Sequence, residues 1–327
     1  MAEKKENETA PDAAKLQELV AESDTGGRAP RGAVAWVLAG TALAWSLFQL
    51  WYASPLPFTF GVFVFNDTEA RSIHLAFAIF LSFASYPAFK RSPRAYIPVV
   101  DWIFALAGAF CAGYIFLFYT ELSTRPGQPT TLDLAVAVTG MVLLLEAARR
   151  ALGPAMAIVA IVFLAYIFGG PWMPDMIAHK GASLSKGMSH QWLTTEGVFG
   201  IALGVSTSFI FLFVLFGSLL DKAGAGNYFI KSAFALLGHM RGGPAKAAVV
   251  SSAATGIISG SSIANVVTTG TFTIPLMKRV GYRPDQAGAV EVSSSVNGQL
   301  MPPVMGAAAF LMVEYVGIPY TQVIKHA

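Results

Sequence analysis

The fold of this chain is decided by two segments, AKAAVVSSAATGIISGSSIANVVTTGTFTIPLM at residues 245–277 and AGAVEVSSSVNGQLMPPVMGAAAFLMVEYVG at residues 287–317. Each is apolar enough for a bilayer, and each is interrupted midway. The interruptions are SGSS at 259–262 in the first segment, and NG at 297–298 followed by PP at 302–303 in the second. Lipid offers no hydrogen bonds, so non-helical backbone at membrane depth is stable only inside protein or beside a polar cavity. Paired interruptions of this kind point to the substrate and ion site of a secondary transporter.

The composition is that of an integral membrane protein, for which the lipid bilayer is the first partner. Of the 327 residues, 54% are hydrophobic and 13% are charged, whereas soluble domains carry about 25% charged residues. The net charge of +3 is small and spread over the loops, so nucleic acid is not an expected partner. The single cysteine, Cys111, lies in an apolar run and is expected to pack as a small hydrophobe. Residues 1–32 are polar and predict a disordered cytoplasmic tail.

Six mainly apolar runs predict membrane-spanning helices, which need about 20 residues each. They lie at about 33–53, 72–89, 98–119, 131–149, 152–172 and 198–220. Lysine and arginine precede the first span, fill the loop after the second and follow the fourth. Because cytoplasmic loops carry the excess of basic residues, the N-terminus is expected in the cytoplasm. Residues 226–240 have the amphipathic pattern of a helix in the cytoplasmic interface.

Basic residues also orient the two broken segments. Arg241 and Lys246 flank one end of the first segment, and Lys278 and Arg279 flank the other, so both ends are expected in the cytoplasm. Its arms, 245–258 and 263–277, would each be about 21–23 Å long, which is short of a hydrocarbon core about 30 Å thick. The pattern therefore predicts a re-entrant hairpin over about residues 243–280. One crossing made of two half-helices is expected to follow, over about residues 285–318.

The two interruptions carry many uncharged oxygen donors. The hairpin tip offers Ser259, Ser261, Ser262, Asn265, Thr268 and Thr269, and the break offers Ser293, Ser294, Ser295, Asn297 and Gln299. A desolvated sodium ion needs several oxygen ligands, and the N-termini of half-helices attract an anion. The alternative is that these small residues only let helices pack closely. That alternative does not account for NG and PP in mid-span, so an ion and substrate site is favoured.

Glu291 lies about two helical turns from the break. An acidic side chain inside a membrane segment is a functional candidate, here as an ion ligand or a proton site. Because Arg283 stands nearby in the sequence, an interfacial salt bridge between the two is the alternative. The five histidines show no metal-ligand spacing and are expected to be solvated or interfacial.

Three other classes of protein were weighed against a transporter. An embedded peptidase would need a base beside its serine, a zinc-binding motif or paired intramembrane aspartates, and the sequence offers none of them, so an enzyme is not expected. An ion channel stays an alternative, because re-entrant loops also build selectivity filters. A non-transporting membrane anchor or scaffold fits the first four spans but not the broken segments.

Both broken segments resemble parts of one known transporter family. GIISGSSIANVVTTGTFTIPLMKRVGY at 256–282 resembles the first hairpin of the large membrane subunit of TRAP transporters. EVSSSVNGQLMPPVMGAAAFLMVEYVGIPY at 291–320 is similar to the broken helix that follows it. The NVVTTG and NGQLMPP runs look most like the TAXI branch, in which a small four-helix subunit is fused to the large one. By this resemblance, residues 33–150 correspond to the small subunit and residues 151–327 to the start of the large one.

The resemblance implies a sodium-driven elevator permease of the bacterial inner membrane. It would import a small organic acid, of a kind left open, delivered by a periplasmic substrate-binding protein, with Na⁺ as coupling ion and no other cofactor. The family's large subunit has a second, inverted half that residues 1–327 do not contain, so that half is expected to be required. The implied sodium ligands are Ser259, Ser261, Ser262, Asn265, Ser295, Asn297 and Gly298. The implied substrate contacts are Thr268, Thr269, Ser293 and Gln299.

Overall fold

In the computed structural model, the chain is helical, as the sequence predicts. The structure describes residues 27, 28, 30, 32–89 and 91–327, and these residues contain no β-strand. Their contacts divide the chain into two units, with the division after Thr207. The predicted tail lies mostly outside the described residues, and the predicted domain boundary at residue 150 stays a prediction.

The first unit is a helical bundle whose elements follow one another closely along the chain. Its helices are α1 (Ala33–Ala53), α2 (Leu56–Phe60), α3 (Asp67–Ser85), α4 (Val99–Leu117), α5 (Tyr119–Thr124), α6 (Thr131–Leu152), α7 (Pro154–Gly169), α8 (Leu184–Trp192) and α9 (Ile201–Val205). The core is formed mainly by α3, α4 and α6, with Ile79, Phe83 and Tyr114 among its buried side chains.

Five helices of the described residues are long and apolar enough to cross a membrane. They are Ala33–Ala53, Val99–Leu117, Thr131–Leu152, Pro154–Trp172 and Ile201–Lys222. The second predicted span, 72–89, corresponds to α3 and is not one of the five. This helix begins earlier because Asn66 and Glu69 form a capping box at its N-terminus. Its charged first turn and its buried polar residues, Ser72 and His74, lower its mean hydropathy.

Charged side chains are buried at one end of the first bundle. Asp101 accepts from Arg28, and also from Arg150 at 2.7 Å; both arginine side chains are almost fully buried. Arg150 reaches Glu146 at 2.7 Å as well. Arg28 was expected in a disordered tail, and this expectation is wrong because the residue pairs with Asp101 and binds backbone carbonyls of α3.

One further feature of the first unit differs from the sequence prediction. His74 is not solvated: it is buried and hydrogen-bonds Gln49 and Ser206, because α3 lies inside the bundle. The polar residues 173–197 contain α8. Trp192 of α8 is fully buried, and its indole nitrogen donates to the carbonyl of Cys111 at 3.1 Å. Cys111 is buried, as predicted for a packing role.

The second unit contains the hairpin and the broken helix. Its helices are α10 (Phe211–Lys222), α11 (Ala225–Leu237), α12 (Gly243–Ser259), α13 (Ser262–Arg279), α14 (Pro284–Ser295), α15 (Ala307–Val316) and α16 (Tyr320–His326). Helices α12 and α13 form the predicted helical hairpin, joined by Gly260 and Ser261. With 17 and 18 residues, its arms are about 25 Å and 27 Å long.

The predicted break separates α14 from α15. A 3₁₀ turn, Val296–Gln299, follows α14, and irregular backbone continues to Gly306. The amide of Gly306 donates to the carbonyl of Gln299 at 2.8 Å, which closes the irregular loop on itself. Beyond it, Phe310 of α15 packs on Tyr320 of α16 and on Phe213 of α10. The unwound segment is thus held at both ends.

Candidate functional site

The first arm of the hairpin and the break meet backbone to backbone. A Cβ atom built on Gly256 of α12 would lie 2.6 Å from the Cα atom of Gly298. A Cβ atom on Gly298 would lie 3.4 Å from Nδ2 of Asn265 and 3.5 Å from the carbonyl oxygen of Ser261. A real Cβ atom does not approach backbone to 2.6 Å, so glycine is required at 256, whereas the distances at Gly298 are those of ordinary van der Waals contact. This contact brings the two interruptions of the sequence to one place.

The hairpin tip is a tight turn that also rests on the irregular loop. Gly260 has φ +58°, the left-handed conformation that ends a helix and favours glycine. A Cβ atom at Gly260 would collide with the carbonyl oxygen of Met305 and would lie 2.9 Å from Val304. Ser261 starts the second arm, because its hydroxyl accepts from the amide of Ala264 at 3.4 Å.

A hydrogen-bonded network is buried between the hairpin and α14. Nδ2 of Asn265 donates to the carbonyl and the hydroxyl of Ser252, at 2.8 and 3.0 Å. The hydroxyl of Ser252 lies 3.1 Å from that of Ser295, and Ser295 donates to Glu291 at 3.3 Å. Thr269 completes the circuit by contacting both Glu291 and the carbonyl of Asn265. All five side chains are fully buried, so the network joins three helices away from bulk solvent.

Glu291 is the acidic centre of this network. Its two oxygens accept hydrogen bonds from Thr269 and Thr273 of α13 and from Ser295 of its own helix. The alternative of a salt bridge with Arg283 is wrong, because Arg283 pairs with Asp285 at 2.7 Å at the exposed start of α14. The register of α14 turns Glu291 inward and leaves Arg283 at the surface.

Two buried polar atoms in or near the network have no partner in the described part of the chain. Oδ1 of Asn265 and Oγ1 of Thr255 are buried and have no hydrogen-bond partner among the described residues. Both residues lie on the hairpin, within three residues of Ser252 or of the tip. Buried polar atoms of this kind are costly unless they find a hydrogen-bond partner or coordinate an ion.

The remaining predicted site residues take different positions. Gln299 donates from Nε2 to the hydroxyl of Ser262 at 3.1 Å, which ties the break to the tip. Asn297 is partly buried in the 3₁₀ turn. Ser293 is exposed on the opposite side of α14 from Glu291, so the structure does not bring it to the network.

A mainly apolar cavity with a few polar lining residues lies beside the hairpin. It has a volume of about 340 Å³ and is bounded by α10, α11 and the two hairpin arms. Ser259, Ser261 and Thr268 line it, together with Asp221 and Thr255. The predicted residues therefore divide between two places, with Asn265, Thr269 and Ser295 in the buried network and Ser259, Ser261 and Thr268 at the cavity.

The comparisons with known proteins converge on one family of membrane transporters. Residues 139–327, more than half of the chain, match the family model described as "Tripartite ATP-independent periplasmic transporter, DctM component". The chain belongs to this family. It contains both broken segments within the matched region, so the site described above lies inside the family domain.

Individual relatives agree with the family assignment. The chain is 39% identical over 92 residues to the C4-dicarboxylate TRAP transporter large permease protein DctM of Rhodobacter capsulatus, which covers 28% of this chain and 21% of the relative. It is 32% identical over 95 residues to the ectoine TRAP transporter large permease protein TeaC of Halomonas elongata, covering 29% and 22%. The aligned part of the chain thus spans about a fifth of each of these relatives. No solved structure shows a significant match.

Membership in the DctM family bears directly on the class of protein. The relatives are permeases, which are transporters and not enzymes, so the prediction that this chain is no enzyme is confirmed. The multi-pass membrane character predicted from composition is confirmed as well.

Sequence reasoning missed three residues that hold the site together: Ser252, Gly256 and Thr273. Each lies in a run of small or hydroxylated residues, AAVVSSAATG or TTGTFT, in which every position is compatible with plain helix packing. A signal was present in the spacing: Asn265, Thr269 and Thr273 recur every four residues and share one face of α13. Glu291 and Ser295 repeat that spacing on α14.

Proposed function

We propose that this chain forms the membrane permease part of a sodium-driven, binding-protein-dependent importer of small organic acids. The observation that carries the proposal is the contact between the hairpin and the break, where Gly256 meets Gly298. Around that contact lie Asn265, Ser261 and the 3₁₀ turn with Asn297. Uncharged oxygens beside non-helical backbone suit an alkali cation, and transporters place their ion sites at such broken helices.

The substrate and the soluble partner are proposed from the family. The family description contains the words tripartite and periplasmic, and it supports a periplasmic substrate-binding protein as the partner. Relatives are named for C4-dicarboxylates, ectoine and sialic acid, which supports a small organic acid as cargo. Thr268, Thr269, Ser293 and Gln299 are the proposed substrate contacts. The membrane is proposed to be the bacterial inner membrane, with the N-terminus in the cytoplasm.

The domain organisation is likewise a proposal. Residues 33–150 would be a small-subunit-like four-helix domain, fused as in the TAXI branch to a transport domain that starts near residue 151. The start of the family match at residue 139 supports this division. We further propose that a second, inverted hairpin and broken helix complete the transport domain. The aligned part of the chain covers 21% of the Rhodobacter capsulatus relative and 22% of the Halomonas elongata relative, which supports a longer functional unit.

The sodium assignment can be tested through Asn297, which lies in the break. In proteoliposomes that contain the intact permease and its binding protein, Asn297→Ala should raise the sodium concentration for half-maximal uptake at least fivefold. The reason is that one amide oxygen leaves the ion's ligand shell while the surrounding helices are unchanged. The measurement is initial uptake against sodium concentration.

The matched control is Asn227→Ala, which removes an exposed asparagine from α11. Its sodium dependence should equal that of the wild type. Unchanged sodium dependence in both Asn297→Ala and Ser261→Ala would refute sodium binding at the break and the tip.

A further inference from the structure

The cavity beside the hairpin carries an acidic residue at one end. Asp221 lines it, and it is the only charged residue to do so in the part of the chain that the structure describes. A Cβ atom built on Gly226 would lie 3.3 Å from Oδ1 of Asp221 and 3.7 Å from Cγ2 of Thr268. The carboxylate of Asp221 and the side chain of Thr268, on the second arm of the hairpin, therefore both lie close to Gly226.

The side chain of Asp221 is exposed to solvent and has no cationic partner among the described residues. It lies in the last turn of α10, where the helix dipole is negative and an acidic side chain is unfavourable. The described ion pairs do not include it. A cationic group in the cavity would make a charge-assisted hydrogen bond with this carboxylate and offset its unfavourable position at the helix C-terminus.

The opposite end of the cavity has the character of an anion site. Ser261 and Ala264 line it at the N-terminus of α13, an 18-residue helix whose first amides and dipole favour negative charge. An independent observation points to a ligand in the cavity: Thr255 also lines it, is 4% exposed, and its hydroxyl has no hydrogen-bond partner among the described residues. A bound carboxylate can accept from that hydroxyl.

The size of the cavity decides between a bare ion and an organic ligand. About 340 Å³ is the volume of roughly ten water molecules and falls in the range of small-molecule pockets. A single alkali ion would leave most of it unfilled. From Ser262, the first residue of α13, to Thr268, beside Asp221, the helix rises about 9 Å, which sets the separation of Asp221 from the N-terminus of α13.

From these observations we infer that the cavity binds a small zwitterion, with its cationic nitrogen at Asp221 and its carboxylate at the N-terminus of α13, accepting from Thr255. This inference rests on the proposed function, because it narrows the organic-acid cargo to molecules that also carry a positive nitrogen several bonds from the carboxylate. An α-amino acid is too short to reach both ends, whereas an ω-amino acid of about six carbons is long enough.

Three probes of matched length test the inference on the intact purified protein in detergent. They are 6-aminohexanoate, hexanoate, which lacks the cationic nitrogen, and hexylamine, which lacks the carboxylate. By calorimetry, 6-aminohexanoate should bind at least tenfold more tightly than either of the other two. Asp221→Asn should abolish its advantage over hexanoate, and Thr255→Val should weaken hexanoate and 6-aminohexanoate by a similar factor.

The control variant is Asp285→Asn, which removes an exposed acid paired with Arg283 and should leave all three affinities unchanged. The inference would be overturned if the wild type bound hexanoate or hexylamine as tightly as 6-aminohexanoate, or if it bound none of the three probes. It would also be overturned if Asp221→Asn bound all three probes with the affinities of the wild type. The binding measurement needs no sodium gradient and is therefore independent of the uptake assay. Loss of probe binding with intact sodium-driven uptake would refute only the zwitterion site, and probe binding without uptake would refute only the proposed transport function.

Discussion

At the scale of single residues, the buried carboxylate of Glu291 depends on hydroxyl donors from the neighbouring helix. Thr269 and Thr273 each have one proton, and each lies near both a Glu291 oxygen and a backbone carbonyl four residues earlier. We expect Thr269→Val and Thr273→Val to lower the stability of the protein by about 1–3 kcal/mol each, because a buried acceptor loses its donor while the shape is kept. The thermal unfolding midpoint in detergent measures this loss.

Thr271→Val is the control for that experiment. Thr271 is exposed on the same helix, and its hydroxyl donates only to the carbonyl of Thr268. Like Thr269 and Thr273, it bonds a backbone carbonyl of its own helix, but it has no contact with Glu291. The unfolding midpoint of the Thr271→Val variant should therefore change little. Equal decreases of the unfolding midpoint in all three variants would mean that the hydrogen bonds to Glu291 contribute nothing to stability.

The same residues show how far sequence reasoning reaches at this scale. Asn265 and Ser295 could be predicted, because an amide and a serine beside a helix break have few roles other than a polar contact. The sequence could not show which of Ser252 and Ser293 belongs to the site, since both are serines in apolar helices. Only the packed register turns Ser252 inward toward Ser295 and leaves Ser293 exposed.

At the scale of elements, the approach of α12 to the break requires glycine. We expect Gly256→Ala to destabilise the protein by about 1–3 kcal/mol or more, because the new methyl group would meet the Cα atom of Gly298 at 2.6 Å. Backbone cannot move away as a flexible side chain would, so the break itself must shift. A lower unfolding midpoint and a higher sodium requirement for uptake are the expected readouts.

Gly288→Ala supplies the matched comparison. Gly288 lies in α14, and a Cβ atom there would have nothing within 4 Å. Alanine is favoured over glycine inside a helix by about 0.5–1 kcal/mol, so this variant should be as stable as the wild type or slightly more stable. A destabilised Gly288→Ala, or an unaffected Gly256→Ala, would contradict the close backbone approach.

The hairpin and the break were predictable as elements because breaker residues interrupt long apolar runs. Their ends were less predictable: both arms extend beyond the predicted 245–258 and 263–277, to Gly243–Ser259 and Ser262–Arg279. The added residues are the capping turns, which contribute length without apolar character. Helix α8 could not be predicted from its polar sequence, because its stability comes from packing Trp192 into the bundle core.

At the scale of the whole molecule, the basic residues used for orientation are partly neutralised. Arg149 and Arg150 follow the fourth predicted span, yet both pair with Glu146, and Arg150 also pairs with Asp101. Sequence reasoning counts such arginines as free positive charges, because their partners come from another helix or from the preceding turn. The predicted orientation therefore rests most strongly on the basic flanks of the hairpin.

The orientation of the hairpin can be tested by labelling both of its ends. In a Cys111→Ala background, single cysteines at Met240 and Val280 should both react with a membrane-impermeant maleimide only from the cytoplasmic side. These positions are exposed, at 44% and 56%, and their replacement changes no charge. The physical reason is that Arg241, Lys246, Lys278 and Arg279 hold both ends on the side where basic residues are retained, while each arm is too short to cross a core of about 30 Å without local thinning of the bilayer. Labelling of Val280→Cys from outside, with Met240→Cys labelled from the cytoplasm, would replace the re-entrant hairpin by a pair of crossings. It would also remove the proposed sodium site from mid-membrane, since the tip would then lie at an interface.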